Sequence, residues 1–144
     1  MKISLEDLRL LDVLDDFPSH VSICDTRCRV LWLNRRCRER LGISNEELEG
    51  RTCYGLIKGY AEPCEDCPVP GLVADGRPRE AVKLLNQDLS PFEKGNSWFV
   101  RIFPIRDEAG AIVGVMNCAE DITSLREKEF EHARDRGAFL NMAE

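Results

Sequence analysis

The sequence lacks any long apolar run and any excess of positive charge. No stretch approaches the ~20 consecutive apolar residues that span a bilayer, and no basic region followed by an apolar block opens the chain. The formal net charge is −6, whereas nucleic-acid binding depends on clustered Lys and Arg. The one basic cluster, at positions 35, 36, 38 and 40, is expected to be the solvated face of a helix. We therefore expect a cytoplasmic protein without nucleic-acid or direct membrane contact.

Histidine is also scarce, with two residues in the whole chain, His20 and His132. Both lie near the ends of the expected domain. A cysteine hydrolase requires a Cys beside a His that is oriented by a third group. The sequence therefore predicts that the chain is not an enzyme. His20 itself, next to Pro18 and Ser19, is expected to be a surface or edge residue.

The length and composition favour one compact domain. The chain has 144 residues, of which 43% are hydrophobic and 32% charged, the balance of a folded globular protein. Ser4 with Asp7, followed by an apolar stripe, predicts an amphipathic cap helix over residues 1–17. Residues 18–123 form the predicted domain. Residues 124–144 form a charged signalling or coiled-coil helix that stops without a capping signal, so we expect the chain to be part of a longer protein.

Five short runs read as strands, because apolar and β-branched residues are bounded there by turn residues. They lie at residues 21–24, 30–33, 81–85, 97–104 and 111–119. The first two are close enough to form a hairpin. The last two flank residues 105–110, whose Asp107, Glu108 and Gly110 favour a second hairpin turn.

Helix signals lie between the first two strands and the third. Asn34 is a favoured N-cap residue and predicts a helix over residues 35–41. Ser44 with Glu47 three residues later predicts a second helix start through a capping box. Residues 51–78 are rich in proline and cysteine, and we expect short helices and constrained loops there.

The last predicted strand is apolar at alternate positions on both faces. A sheet that is covered on one side only should show polar residues on the other side. The N-terminal helix or a partner subunit must therefore cover the second face. This pattern predicts a homodimer.

Several local motifs in this order resemble the PAS domain family. The likeness extends over roughly residues 17–124. It is carried by Asp25 ahead of Arg29-Val30-Leu31-Trp32-Leu33-Asn34, by Gly42, by Ser44-Asn45-Glu46-Glu47-Leu48-Glu49-Gly50, by the strand pair from Trp98 to Gly114, and by Glu120-Asp121-Ile122-Thr123. The resemblance implies an α+β fold with a five-stranded antiparallel sheet and short helices on one face.

The resemblance also implies a role. It suggests a sensory input module of a bacterial two-component system, in a histidine kinase or a second-messenger regulator, that senses a small ligand, a metal or a redox state. The signal would leave through the C-terminal helix to a downstream effector domain. The alternative is a PAS module without a ligand that serves only to dimerise and to bind other proteins.

The chain departs from the family pattern at several positions. Cys28 stands where a turn glycine is common, and Arg36 with Cys37 replace the small and aromatic residues that usually follow Asn34. No motif of the flavin-binding or haem-binding members is present. Trp32 and Trp98 are candidates for framing a ligand cavity, although plain core packing explains them as well.

Seven cysteines are unusual in a cytosolic chain. Cys53, Cys64 and Cys67 form a Cys-x10-Cys-x2-Cys array that resembles a cysteine-bearing subset of bacterial and archaeal PAS domains. Thiolates suit zinc or an iron–sulfur cluster, although a closed tetrahedral site needs a fourth ligand. Reversible disulfide chemistry between Cys64 and Cys67, or with Cys53, and inert thiols are the other two readings.

The remaining cysteines invite simpler explanations. Cys24 and Cys118 lie among apolar residues of predicted strands, and core packing explains both. Cys37 is expected to fill a helix face. Any of these three, or Cys28, is a candidate for the fourth ligand through the fold. Glu62, Glu65 and Asp66 are the candidates within the loop.

Overall fold

The structure, a computed structural model, describes residues 9–84 and 97–122, together with the helical positions 124, 125, 128, 129 and 131–133. The helices are α1 (Leu10–Asp15), α2 (Arg35–Leu41), α3 (Cys53–Lys58) and α4 (Val69–Asp75), with a 3₁₀ helix at Asn45–Glu47. The strands are β1 (His20–Asp25), β2 (Val30–Leu33), β3 (Arg79–Leu84), β4 (Ser97–Arg106) and β5 (Ile112–Asp121).

The five strands form one antiparallel sheet in the order β2-β1-β5-β4-β3. The two predicted hairpins are therefore confirmed, and β5 lies in the centre of the sheet. In the β4–β5 turn, the Asp107 carboxylate accepts from the Ala111 amide at 2.9 Å. Gly110 adopts a φ of 87° there, a conformation that glycine reaches without steric cost.

Helices α2, α3 and α4 cover one face of the sheet, which we call the inner face. Leu33 and Leu72 are fully buried there. Burial of each such leucine contributes about 2 kcal/mol. The buried core residues on and against this face are Cys24, Val30, Leu33, Cys37, Ile43 and Leu48 on the β2 side, and Cys28, Val69, Leu72, Ile102 and Val115 towards β4.

The helix starts agree in part with the capping residues that the sequence predicts. The Asn34 side chain accepts from the Cys37 amide and Gly42 closes α2 with a φ of 66°, so the cap expected from Asn34 is confirmed. The capping box is not formed. Instead the Ser44 hydroxyl donates to the Glu47 carboxylate at 3.0 Å. The segment is a 3₁₀ turn, and the Asn45 side-chain amide bonds to both main-chain groups of Leu33.

The predicted helices at the two ends of the chain lie largely outside the described residues. Of the predicted cap helix the structure describes α1, which starts at Leu10, and residues 1–8 are not described. The residues described after β5 have helical backbone at positions 124, 125, 128, 129 and 131–133. No helix within the described parts of the chain is long and apolar enough to cross a membrane.

The opposite, outer face of the sheet is apolar as well. Strand register places Ile23 and Phe103 on either side of Met116, and all three are only half-buried. Cys118, between Val21 and Arg101, lies on the same face. Cys118 is therefore not an inner core residue, because the β5 side chains that face the helices are its alternates, Asn117 and Ala119.

Candidate ligand cavity and cysteine cluster

A cavity of about 130 Å³ lies between the inner face and the helices. Residues of β1, β4 and β5 form its floor, and α2, α3 and the segment leading into α4 form its walls. Most of its lining is apolar. The lining side chains with polar groups include Ser22, Asn117, His20, Arg40 and Tyr54, and the cysteines among them are Cys37, Cys53, Cys64 and Cys67.

His20, Trp98 and Arg40 form one cluster at the cavity wall. The His20 ring meets Trp98 edge-on, with centroids 5.0 Å apart and an interplanar angle of 74°. The Arg40 guanidinium carbon lies 5.0 Å from the Trp98 ring centroid, within range of a cation–π interaction. Trp98 is 2% exposed. The cluster brings one cation and one imidazole to the edge of an apolar space.

The imidazole of His20 is kept neutral. Burial, with the nearby charges of Arg40 and Arg36, lowers the pKa of His20 from 6.5 to about 4. The expectation of a surface or edge histidine was wrong, since His20 is 9% exposed. The proline and serine before it suggested an end of the domain, whereas β1 starts at His20 and enters the sheet there.

The basic cluster of α2 is also not a simple solvated face. Arg40 lines the cavity. Arg38 donates to the Asp15 carboxylate at 2.6 Å, and Arg35 lies 2.7 Å from that of Asp16. Sequence reasoning missed these roles, because the two acidic partners are the last residue of α1 and its C-cap residue, which are distant along the chain.

The two candidate cavity tryptophans are separated. Trp98 lines the cavity. Trp32 lies in a second, polar hollow formed with Leu11, Asp15, Arg38 and Asn45 among others. The two rings therefore do not frame one site, because Trp32 precedes Leu33, and neighbouring residues of a strand face opposite sides.

The three predicted site cysteines do meet at the cavity. Cys53 opens α3, whereas Cys64 and Cys67 come from the loop that precedes α4, and all three line the space. Cys28, which the sequence marked as a replacement for glycine and as a candidate fourth ligand, lies beside them. Its sulfur lies 4.0 Å from that of Cys67.

Contacts between thiols and burial control the protonation of this group. Hydrogen bonding with Cys24 is the first cause that raises the pKa of Cys53, to about 12. Hydrogen bonding with Cys53 is the first cause that raises the pKa of Cys28, to about 11. Cys24, Cys53, Cys28 and Cys67 therefore form a chain of neighbouring thiols. For Cys37, burial is the first cause that raises the pKa, to about 12, as expected of a packed helix-face residue.

The thiols follow one another as neighbours and do not surround a common point. Within the described ranges, no three His, Cys, Asp or Glu side chains are grouped so that they could hold a metal ion. Zinc needs its ligands to converge on one point. The zinc or iron–sulfur assignment for Cys53, Cys64 and Cys67 stays a prediction.

Strand β5 connects the cavity with the end of the domain. Its Asn117 and Ala119 line the cavity, and the strand ends at Asp121. The next amide, that of Ile122, donates to the Ser97 carbonyl at 2.8 Å. Ala119 in the cavity floor is thus two residues from Asp121, where β5 ends.

These features define a class of protein: a small α+β domain with a single antiparallel sheet and a ligand-sized space under its helices. The chain matches the family model described as the PAS fold over residues 14–127. It therefore belongs to the PAS-fold family, whose domains are sensory modules and not catalysts. No protein of curated function matches the chain significantly.

Solved structures show the same fold. A sensory box sensor histidine kinase from Vibrio cholerae is similar with a TM-score of 0.58 and 20% identity, over 78% of this chain and 87% of that chain. The PAS domain of an HTR-like protein from Haloarcula marismortui gives 0.56 and 19%, over 79% and 89%. An RNA-binding light-oxygen-voltage receptor gives 0.65 and 16%, over 90% of this chain but 37% of the receptor. At these identities the likeness concerns the fold.

Proposed function

We propose that this chain is a cytoplasmic sensory input module that binds a small molecule in its cavity and passes the signal to the helix after β5. The cavity is the single observation that carries this proposal. Its volume of about 130 Å³ is close to that of engineered cavities of ~150 Å³ that take up one benzene ring. The ligand class is therefore a molecule of about one ring, mainly apolar.

The polar groups in the wall narrow this class further. Neutral His20 and Asn117 offer both donors and acceptors, whereas Arg40 is the one cation among the lining residues. A ring with one or two hydrogen-bonding substituents satisfies these groups. A highly charged ligand is not favoured, because the remaining lining cannot solvate charge.

The output runs through β5 and the Asp121-Ile122-Thr123 junction. Ligand contact with Ala119 shifts the population of strand and helix arrangements, provided that the ligand binds one arrangement more tightly. The effector that we propose is a histidine kinase or a second-messenger regulator. The order of the motifs, together with the Cys-x10-Cys-x2-Cys array, supports assignment to a cysteine-bearing bacterial or archaeal subset of PAS sensors.

The two tryptophans allow a sharp test of ligand binding. Protein labelled with 5-fluorotryptophan gives one fluorine signal from Trp98 in the cavity and one from Trp32 outside it. A panel of one-ring aromatic molecules is expected to shift the Trp98 signal in a saturable way and to leave Trp32 unchanged. Ala119→Leu, which fills the cavity, is expected to abolish the shift, whereas Val113→Leu on the exposed face keeps it. A panel that moves neither signal, or both equally, contradicts the proposal.

We also propose that the module is a homodimer through its outer face. Ile23, Phe103 and Met116 form a continuous half-buried apolar surface there, and Val82 at the edge strand is 49% exposed. A surface of this kind is typical of an interface. A second copy of this chain fits it, because an isologous dimer needs only one self-complementary surface.

Sedimentation of two variants tests the dimer. Met116→Glu places a charge in the centre of the outer face and is expected to give monomers. Arg27→Glu, at an exposed position of the turn between β1 and β2, also introduces a negative charge, and it is expected to leave the dimer intact. A wild-type chain that sediments as a monomer at high concentration contradicts this part of the proposal.

A further inference from the structure

Cys28 and Cys67 form a close thiol pair across two segments of the fold. Their sulfurs are 4.0 Å apart, although 39 residues separate them along the chain. Cys28 ends the turn between β1 and β2, and Cys67 immediately precedes Pro68, the N-cap residue of α4. A disulfide requires a sulfur–sulfur distance of about 2 Å, so a closing movement of about 2 Å is enough.

The backbone at Cys28 points to a specific role for its side chain. Its φ is 65°, and Cys28 is the sole non-glycine residue with a positive φ in the described part of the chain. Glycine and asparagine reach this region easily, whereas cysteine does so rarely. The Cys28 carbonyl also accepts from the Cys53 amide at 2.8 Å, which anchors the turn to α3. The turn therefore accepts an unfavourable conformation and presents a sulfur to Cys67.

We propose that Cys28 and Cys67 form a reversible disulfide by exchange with a low-molecular-weight disulfide. Cys67 is more exposed than Cys28 and meets this co-reactant first. Its thiolate attacks one sulfur of the disulfide RSSR, which gives a Cys67–S–SR bond and releases one RS⁻. The Cys28 thiolate then attacks the Cys67 sulfur and releases the second RS⁻. The two cysteines lose two protons and two electrons in all, and one RSSR becomes two RSH.

The distance of 4.0 Å between the two sulfurs favours Cys28 as the partner of Cys67. The pKa of Cys53 is raised to about 12, and a thiol that stays protonated is a poor nucleophile. Since the pKa of Cys28 is raised as well, to about 11, ring closure is the slow step. Cys118 lies on the outer face of the sheet and takes no part.

The bond would also change the cavity. It ties the β1–β2 turn to the segment at Cys67, Pro68 and Val69, which lines the cavity. Thiol oxidation thereby becomes a second signal to the module, because the disulfide restricts the movement of this part of the cavity wall. This consequence rests on the proposed ligand function, whereas formation of the bond does not.

Peptide mapping of the protein treated with oxidised glutathione tests the bond. Free thiols are alkylated, the chain is digested without reduction, and the linked peptides are identified by mass spectrometry. A Cys28–Cys67 peptide is expected to contain most of the oxidised Cys67 and to disappear on reduction with dithiothreitol. A predominant Cys64–Cys67 or Cys53–Cys67 peptide, or no linked peptide, overturns the proposal. So does about one zinc per chain in the purified protein that is lost in Cys28→Gly.

The variants are chosen to keep the fold intact. Cys28→Gly removes the sulfur and suits the left-handed backbone at this position, so we expect it to fold and to form no linked peptide with Cys67. Cys118→Ala is the matched control and is expected to form the Cys28–Cys67 bond as the wild type does. Suppose that oxidised glutathione removes as many free thiols from Cys28→Gly as from the wild type. Cys67 then has another partner, and the assignment is contradicted.

A second measurement separates this proposal from the ligand proposal. The titration of one-ring probes on fluorine-labelled protein is repeated with the reduced and the oxidised chain. A severalfold difference in apparent affinity is expected. Equal affinity overturns the coupling alone, whereas probes that bind neither form count against the ligand function and leave the bond unaffected.

Discussion

The side-chain amide of Asn34 donates a hydrogen bond to the main-chain carbonyl of Leu14 at 3.0 Å. It also donates to the Ser19 carbonyl at 2.8 Å, and its oxygen accepts from the Val21 and Cys37 amides at 3.1 Å each. One fully buried side chain thus joins the end of α1, the start of β1 and the start of α2.

Asn34→Ala is expected to destabilise the fold by about 2–4 kcal/mol, because it leaves several buried main-chain groups without a partner. Asn45→Ala is the matched control. It also removes a two-bond amide contact, here with Leu33, but Asn45 is only half-buried and water can replace it. The measurement is urea unfolding followed by circular dichroism. Equal costs for the two substitutions would contradict the role of Asn34.

The ion pair between Arg38 and Asp15 should help to hold α1 against the domain. The two side chains are 25% and 24% exposed and lie 2.6 Å apart, and the hydrogen bond from Arg38 is the first cause that lowers the pKa of Asp15. A double-mutant cycle with Arg38→Met and Asp15→Asn is expected to give a coupling energy of about 1 kcal/mol.

A second ion pair supplies the control for that cycle. Arg9 and Asp12 lie 3.0 Å apart, but their side chains are 82% and 65% exposed. Their coupling is expected to be close to zero, because water screens the pair. Coupling of similar size in both pairs would show that partial burial does not matter here.

The lowered pKa of His20 predicts that the free energy of unfolding depends on pH. The pKa of His20 falls from 6.5 in the unfolded chain to about 4 in the fold, first through burial and then through the charges of Arg40 and Arg36. Between these two pH values the unfolded chain binds a proton that the folded chain does not bind, so stability falls as the pH decreases. The full shift corresponds to about 3 kcal/mol, and partial hydration of the cavity edge reduces the expected loss to on the order of 2 kcal/mol.

Unfolding experiments between about pH 6.5 and pH 5 test this dependence, because most carboxylates stay ionised in that range. His20→Gln keeps a side chain that donates a hydrogen bond but cannot titrate, and it is expected to remove most of the slope. His132→Gln changes an exposed histidine and is expected to keep it. The same slope in the wild type and in His20→Gln would disprove the prediction.

Gly114, the one glycine of β5, should be difficult to replace. A Cβ atom there would lie 2.8 Å from the main-chain oxygen of Cys24, and that oxygen belongs to the paired strand β1. Gly114→Ala is expected to cost about 2 kcal/mol through the strand shift that it forces. Val113→Ala, at a neighbouring position that is 48% exposed, is expected to cost less than about 1 kcal/mol. Thermal unfolding of both variants checks the difference.

Local patterns determined a large part of this protein. Alternating apolar residues placed all five strands within a few residues of their observed bounds, and Asn34 predicted the start of α2 through its capping chemistry. These signals are readable because each depends on neighbours along the chain. The failed capping box at Ser44 marks the limit of such reasoning, since Asn45 is engaged by Leu33 of another element.

Contacts between distant segments were decided by the tertiary structure alone. Trp32 and Trp98 were candidates for framing one cavity, but the pleat of the sheet separates them, and Trp98 lies against His20 and Arg40. The sequence by itself determined the order of the elements and the cysteine-rich segment beside the cavity. Only the fold decided that Cys28 meets Cys67, because a turn between two strands and a loop 39 residues later become neighbours when the helices close over the sheet.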